Sequence, residues 1–489
     1  MAEEGVVFPA GPDGRRSTAA LGRAVVADAL RPVDPAGAGA AERETNWRAG
    51  YLPHFRRLVE AGLVSREAAL AIADAGLASL HRRMRVAGPD GAETGLGDLA
   101  SAPAGRALAT AEVAGTAEPE GELSLPFRGE RLRGDALLRR LDGWVEGGIV
   151  EPSAAEAVRT VVAHPEWLPL PDTTVIVLGA GAEMGPLTAL LRWGAEVVAV
   201  DLPRPQIWQR LLDTAHRYAG TMHLPALQIK GRQGKAELTK RAGADLLHDP
   251  GRIADWLAGF DGPLVLGNYV YADGALNVRV AMAVDALTQQ LLGERDDLAL
   301  AFLATPTDVF AVPKEAVDDA TRRYGEASGI GRIRRPLRIV SGGRLLARNY
   351  PPGMDPGIND SLVPQQGPNY ALAKRLQRWR AAVARAGGTT VSLTVAPATR
   401  TRSVVKNRLL AAAFAGAHRF GIEIFEPATS NTLMAALLVH DLRVAPPAQP
   451  LPWQDEAFAA AHGGLWRQPY APRSALGLAV LLGIGATRG

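Results

Sequence analysis

The sequence predicts an α/β protein with a doubly wound parallel sheet and a mainly helical accessory region before it. Two observations predict the sheet. A strand, a glycine turn, a helix and a second strand follow one another in "TTVIVLGAGAEMGPLTALLRWGAEVVAVDLPRP", and further apolar strands then alternate with helical stretches. Strands that are apolar throughout are typical of parallel sheets covered on both faces. We expect them at 173–178, 196–200, 263–267, 298–304 and 389–397.

The chain is too long for one hydrophobic core. Its 489 residues predict two or three structural units. The predicted pattern changes after "PEWLPLPD" from helices to alternating strands and helices. We predict a partly disordered leader at 1–45, a helical accessory domain at 46–167, the sheet domain at 168–442, and a C-terminal extension at 443–489 that packs on it.

The composition bears on the class of function. A net charge of +3 gives no general case for nucleic acid or an acidic membrane as partner. The absence of cysteine excludes disulfides, a thiolate nucleophile and Cys-ligated zinc, and it fits a reducing compartment. The first residues are acidic where a signal peptide needs a basic start, so we expect a cytoplasmic protein.

One long apolar run, at 475–486, lies near the C-terminus. A membrane-spanning helix needs roughly 20 apolar residues, so no membrane span is predicted. A buried helix or strand is favoured over a membrane-associating tail, because short apolar runs usually belong to a core.

The turn "GAGAEMG" is the predicted cofactor site. Gly179, Gly181 and Gly185 lie between strand and helix, where a backbone without Cβ lets a pyrophosphate approach closely. The third glycine comes one place later than in G-x-G-x-x-G. Asp201 ends the second strand, where its carboxylate can accept hydrogen bonds from ribose hydroxyls and would repel a 2′-phosphate. NAD is therefore predicted, with NADP as the alternative because Arg204 follows closely.

A tyrosine and a lysine stand four apart in "QGPNYALAKR", and this spacing places Tyr370 and Lys374 on one helical face. The spacing alone decides little, because such pairs are common in helices. The order of the surrounding motifs carries more information. Over 172–442 the chain resembles the short-chain dehydrogenase/reductase family, particularly its extended branch, whose members have a Rossmann fold.

The resemblance rests on motifs that occur in the family's order. "GADLLHDPGRIADWL" resembles the acidic segment that would place Asp245 and Leu246 by the adenine. "LVLGNYVYAD" is similar to the fourth strand, which puts Asn268 beside the cofactor ribose, and "GALNVRVAMAVDAL" resembles the helix with a structural asparagine, here Asn277. "NDSLVPQQGPNYALAKRLQRW" is similar to the approach to Tyr-x-x-x-Lys. The chain departs from the family pattern at Ala182, which replaces the middle glycine, and in "TVSLTVAPATRTRS", where Pro-Ala replaces Pro-Gly.

The resemblance implies catalytic roles. Tyr370 would be the acid/base, and Lys374 would lower the pKa of the phenol and hold the nicotinamide ribose. A third hydroxyl should face the substrate oxygen. Thr305 is the candidate by strand order, and Ser341 in "PLRIVSGG" is its rival, because that stretch also looks like a strand.

The expected function is NAD(P)-dependent hydride transfer between nicotinamide and a small carbonyl or alcohol. An NAD-dependent epimerase or dehydratase, and a non-catalytic NAD(P)-binding sensor or scaffold, remain open. The four basic residues at 400–408 could hold an anionic substrate group or form a solvated face. The scattered histidines predict no metal, and a homo-oligomer is left open.

Overall fold

The computed structural model describes residues 3–97, 107–227, 234–326 and 330–486. The strands within these ranges are β1 (Gly5–Val7), β2 (Arg85–Ala87), β3 (Glu93–Gly95), β4 (Ala109–Ala114), β5 (Leu125–Phe127), β6 (Glu130–Leu132), β7 (Thr174–Leu178), β8 (Glu196–Val200), β9 (Thr221–Ala226), β10 (Leu264–Asn268), β11 (Leu298–Ala304), β12 (Val309–Val312), β13 (Gly357–Asp360) and β14 (Val391–Val395).

The α-helices within the same ranges are α1 (Thr18–Leu30), α2 (Pro35–Arg43), α3 (Trp47–Gly62), α4 (Arg66–Arg83), α5 (Gly134–Glu146), α6 (Pro152–Ala163), α7 (Leu187–Trp193), α8 (Pro205–Arg217), α9 (Lys235–Arg241), α10 (Pro250–Ala258), α11 (Ala275–Glu294), α12 (Lys314–Gly325), α13 (Gly331–Val340), α14 (Pro368–Ala386), α15 (Arg402–Lys406), α16 (Arg408–Ala417), α17 (Pro427–Val444), α18 (Pro452–Ala457) and α19 (Pro472–Ala486).

The central sheet confirms the predicted fold class. Its seven strands lie in the order β14-β11-β10-β7-β8-β9-β4. The first six are parallel, and β4 pairs antiparallel with β9 at one edge. Strand order reverses direction between β7 and β10, which is the doubly wound arrangement that places a ligand crevice beyond the carboxyl ends of these two strands.

Alternation along the strands divides the core into two layers. Val175 and Val177 of β7 face a core formed with α5, α6, α7, α8 and α17. Ile176 and Leu178 face the opposite core, formed with α10, α11 and α14. Both faces of β7 are therefore buried, as its uninterrupted apolar sequence predicts.

All five predicted strands are present as β7, β8, β10, β11 and β14, with ends within two residues of the predicted ones. The strand β9 was not predicted. His223 and Pro225 interrupt its apolar pattern, and Pro225 pairs with Thr110 of the edge strand β4. β4, which falls in the predicted accessory domain at 46–167, is thus part of the central sheet.

The stretch 336–341, which resembles a strand in sequence, is not one: residues 336–340 end the helix α13, and Ser341 follows it. Ile330 and Leu337, seven residues apart, both pack against a core cluster that contains Tyr324 and Tyr470. This separation corresponds to two helical turns, so helical packing explains the pattern better than strand alternation.

The predicted leader at 1–45 contains β1, α1 and α2 in its described part. Ser17 caps α1 by accepting a hydrogen bond from the amide of Ala20 at 3.2 Å, and Asp34 caps α2 by accepting one from Gly37 at 2.9 Å. The helices α1, α3 and α4 then pack on α11 and α14, outside the sheet. Beyond the sheet this side of the molecule therefore has two helical layers.

The apolar run at 475–486 forms the helix α19, so the prediction of a buried helix or strand holds only for one side of this helix. Its inner residues Ala475 and Ala479 are buried, whereas Leu481 and Leu482 are exposed. No helix in the described ranges has the length and hydropathy required to cross a membrane.

Candidate functional site

The glycine turn follows β7 at the carboxyl edge of the sheet. Gly179 has a φ of +78°, which side chains rarely adopt, and a Cβ atom there would lie 3.1 Å from the Tyr269 carbonyl carbon and the Val270 Cα. Only glycine fits this position without a backbone shift. The turn therefore brings β7 and the end of β10 into close contact.

Asp201 ties the end of β8 to this turn. Its Oδ2 accepts a hydrogen bond from the Gly181 amide at 2.7 Å, and its Oδ1 accepts one from the Leu202 amide at 2.7 Å. Burial raises the pKa of Asp201, and these two backbone hydrogen bonds oppose that effect. Each carboxylate oxygen keeps a further lone pair, so the arrangement fits a ribose bound by its hydroxyls.

The three glycines of the turn lie between β7 and α7, as the sequence predicts. The helix α7 begins at Leu187, two residues after Gly185. Within the turn, the Glu183 carboxylate accepts hydrogen bonds from the backbone amide and the Nε of Arg402, both at 2.8 Å. The turn is thereby tied to the loop after β14. Of the four basic residues at 400–408, Arg402 is therefore paired with Glu183.

Asp245 and Leu246 lie beside the end of β8, because the Ala244 amide donates to the Asp201 carbonyl at 3.0 Å. The Asp245 carboxylate accepts from the Leu247 amide at 2.9 Å and contacts His248 Nδ1 at 2.8 Å. Leu246 is buried. The structure thus brings this segment next to Asp201, and its contact with adenine remains a prediction.

Asn268 is the last residue of β10, and two hydrogen bonds through Gln377 link it to Lys374. Lys374 Nζ donates to Gln377 Oε1 at 3.0 Å, and Gln377 Nε2 donates to Asn268 Oδ1 at 3.3 Å. Because an ammonium group can only donate, the Gln377 oxygen must face Lys374. This order makes Asn268 Oδ1 an acceptor and leaves its amide nitrogen as the group that can donate to a ligand.

Tyr370 and Thr305 meet at the carboxyl end of β11. Gly367, with a φ of +77°, precedes Pro368 at the start of α14, so Tyr370 stands in the first turn of that helix. Burial raises the pKa of Tyr370, and the nearby Thr305 hydroxyl opposes this by stabilising the ionised form. The half-buried phenol is therefore neutral near neutral pH and has a proton to donate.

A hydrogen-bonded chain orients the Thr305 hydroxyl. Gln366 Oε1 accepts from the Val363 amide at 3.1 Å, which fixes its amide group so that Nε2 donates to Thr307 Oγ1 at 2.8 Å. Thr307 Oγ1 lies 3.0 Å from Thr305 Oγ1. Either hydroxyl can be the donor in this pair. When Thr307 donates, the Thr305 proton is free for another acceptor.

Lys374 is half-buried, and burial lowers its pKa from 10.5 to about 8, an effect that the charge of Asp308 opposes. Its ammonium group donates to the Leu303 carbonyl at 3.2 Å as well as to Gln377. That Lys374 lowers the pKa of Tyr370 stays a prediction. The phenol pKa is raised, because burial outweighs the influences that favour phenolate.

The lowered pKa of Lys374 predicts a pH dependence of stability. The unfolded chain keeps this proton up to about pH 10.5, whereas the folded protein releases it near pH 8. The unfolded state binds more protons in that window, so this residue makes stability rise with pH. Between about pH 8 and pH 10.5, the free energy of unfolding of the wild type should rise by on the order of 1–3 kcal/mol more than that of Lys374→Met. Urea denaturation of both proteins at the two pH values would measure this difference. The same change with pH in both proteins would contradict the prediction.

A buried ion-pair network lies directly behind the site. The Asp308 carboxylate, 1% exposed, contacts Arg375 Nη2 at 3.2 Å and Arg378 Nη1 at 2.7 Å. Arg378 also donates to Glu456 of α18 at 2.6 Å through Nε. The charge of Asp308 favours a higher pKa for both Tyr370 and Lys374, although burial lowers the pKa of Lys374 overall. The network therefore anchors α14, and its carboxylate influences the pKa values of both site residues.

Several of these residues escaped the sequence analysis. Gln366 and Thr307 contact each other across 59 positions of sequence, which no periodicity indicates. Gln377 follows Lys374 by three positions on the same helical face, a spacing that could have indicated the contact. Tyr271, 53% exposed, places its ring edge-on against Tyr370 with centroids 6.2 Å apart.

Two other predicted residues lie elsewhere in the architecture. Ser341 follows the last residue of α13, where its hydroxyl accepts from the Leu345 amide at 3.1 Å and donates to the Arg338 carbonyl at 3.3 Å. Both partners are local, and no contact joins Ser341 to the described part of the site. Asn277 accepts from the Ala272 amide at 3.1 Å and so fixes the loop between β10 and α11.

No cluster of three potential metal ligands occurs among the residues that the structure describes.

Comparison with known proteins gives distant structural similarity. No protein-family model and no curated protein matches the chain. It is similar to two solved structures, an A1-type ketoreductase and A-type ketoreductases from a modular polyketide synthase. Each has a TM-score of 0.31 and 16% sequence identity, with 55% of this chain and 46% of the other chain covered. The chain thus spans less than half the length of these ketoreductases.

Proposed function

We propose that the protein is an NAD(P)-dependent oxidoreductase of the short-chain dehydrogenase/reductase type. The observation that carries the proposal is the meeting of Tyr370, at the start of α14, with Thr305, at the end of β11. Lys374 lies one helical turn beyond the tyrosine. The three side chains lie at the carboxyl edge of a doubly wound sheet, where such sheets bind ligands.

Tyr370 supplies the proton in the reductive direction. Its raised pKa keeps the phenol neutral, so it can protonate the oxygen of a substrate carbonyl as negative charge develops there. Thr305 contacts Thr307, which accepts from Gln366, and Thr305 has its own proton free when Thr307 is the donor of that pair. It donates a hydrogen bond to the same oxygen and fixes the approach of the substrate.

The opposite end of the site would hold the cofactor. Asp201 would bind the adenosine ribose through its remaining lone pairs, and Asn268 and Lys374 would donate to the nicotinamide ribose. A bound nicotinamide would supply the hydride to the substrate carbon or accept it in the reverse direction. The carboxylate of Asp201 favours NAD, and Arg204 keeps NADP as the alternative.

Titration with NADH and NADPH, followed by nicotinamide fluorescence, tests the proposal. We expect binding below millimolar concentration, and weaker binding by Gly179→Ala, because a Cβ atom there displaces the turn. Gly143→Ala is the matched control, since Gly143 lies in α5 and a Cβ atom there meets nothing within 4 Å. If neither dinucleotide binds the wild type below millimolar concentration, the proposed function is wrong.

A further inference from the structure

More than half of the large exposed apolar side chains in the described ranges lie in four helices. Fourteen large hydrophobic residues are exposed within the described ranges, and eight of them lie in α13, α15–α16 and α19. Scattered exposed apolar residues are ordinary, whereas a concentration of this kind marks an interaction site.

Five of these residues lie together at the end of a helix pair. A Cβ atom on Gly416 would lie 2.0 Å from the Ala479 carbonyl, and one on Gly483 would lie 1.8 Å from the Ala412 carbonyl. The helices α16 and α19 are therefore antiparallel and packed backbone to backbone. The start of α16 lies beside the end of α19. We call the exposed apolar residues there the tip surface: Val405, Leu409, Leu481, Leu482 and Ile484.

The tip surface has basic and no acidic neighbours in sequence. Residues 397–422 and 457–489 contain no aspartate or glutamate, and neither does the stretch 327–354 that contains α13. Lys406 and Arg408 are exposed beside Leu409, and their side chains make no ion pair within the described part of the chain. The helix α13 also has exposed arginines, among them Arg332 and Arg335. Its Leu337 packs against the cluster that contains Ala475 at the start of α19.

We propose that the tip surface binds peripherally to an anionic lipid bilayer. Exposed aliphatic side chains can enter the boundary between headgroups and acyl chains, while adjacent lysine and arginine side chains pair with acidic headgroups. A second copy of the chain would bring like charges together at this surface. A typical protein interface is rich in aromatic residues, and the tip surface has none. This inference is independent of the proposed enzymatic function.

Sedimentation with vesicles tests the proposal on the full chain. We expect binding to vesicles of equal parts phosphatidylcholine and phosphatidylglycerol, little binding to phosphatidylcholine alone, and release by high salt. Replacing Lys406 and Arg408 together with glutamine should lower the partition coefficient about 30-fold, given the contribution of each basic residue near an acidic surface. The double substitution Leu481→Gln with Leu482→Gln should also weaken binding.

Matched substitutions outside the tip surface provide controls. Val64→Gln alters a residue that is 79% exposed, and Arg139→Gln with Arg217→Gln removes two exposed charges. Both control proteins should bind as the wild type does. Binding that is absent, equal on the two kinds of vesicle, or unchanged by the leucine substitutions would overturn the proposal. If vesicle binding is absent and the protein self-associates in a way that the leucine substitutions abolish, the tip surface is instead an interface between copies of the chain.

Discussion

Replacing Tyr370 with phenylalanine should lower turnover by about 10²–10⁴ while dinucleotide binding stays close to that of the wild type. The substitution removes the neutral phenol that lies beside Thr305 and changes little volume. Turnover is measured as oxidation of NADH or NADPH against a panel of ketones and aldehydes, and binding by nicotinamide fluorescence. The two readouts separate proton donation from assembly of the site.

Tyr218→Phe is a suitable control, because this half-buried tyrosine lies at the end of α8 and away from the site. It should keep normal turnover. Thr305→Ala should lose rate as well, by roughly 2.7–4 kcal/mol of barrier, because it removes a hydrogen bond to the developing oxyanion. Ser341→Ala should leave the rate unchanged. Normal turnover in the phenylalanine variant would mean that the tyrosine is structural.

Replacing Asp308 with asparagine should lower the free energy of unfolding by about 3–5 kcal/mol, because it leaves Arg375 and Arg378 buried without their shared counter-ion. The loss of stability is large because Arg375 Nη2 and Arg378 Nη1 lie only 3.2 and 2.7 Å from the Asp308 carboxylate oxygens. Urea denaturation followed by far-ultraviolet circular dichroism measures the change. Asp318→Asn, in an exposed pair with Lys314, should change stability little.

The same substitution should change the acid response. The pKa of Asp308 is lowered from 3.8, and its charge therefore stabilises the folded state above that pH and ceases to do so as pH falls through the folded-state value. Asp308→Asn should remove this part of the acid sensitivity. An asparagine variant with wild-type stability at neutral pH and the wild-type acid slope would contradict the assignment of Asp308 to the network.

The sheet could be predicted because parallel strands buried on both faces leave long apolar runs, as in β7 and β10. The strand β9 was missed because His223 and Pro225 interrupt that pattern in a strand next to the sheet edge. The first helices were missed for a different reason. Their alanine-rich sequence has a weak apolar pattern. The helix α1 is stabilised by packing against α4 and α14, and α2 packs on α1 and α3.

The candidate site was predictable only in part. Tyr370 and Lys374 follow from the family resemblance and Thr305 from strand order, and the structure brings them to one edge of the sheet. The polar contacts that orient them join residues distant in sequence, and such contacts leave no periodic signal. The state of the phenol was also not predictable, because burial of Tyr370 depends on how the loops close over the start of α14.

The N-terminal helices have a consequence for assembly. Trp379 of α14 fills the space beside Gly76 of α4, and a Cβ atom on that glycine would lie 2.4 Å from the indole ring. His81 of α4 contacts Asp285 of α11, which also pairs with Arg380 of α14. The outward face of the α11–α14 pair is thus covered by the chain itself. The protein carries an internal partner for this face, and any homo-oligomer must form through a different surface.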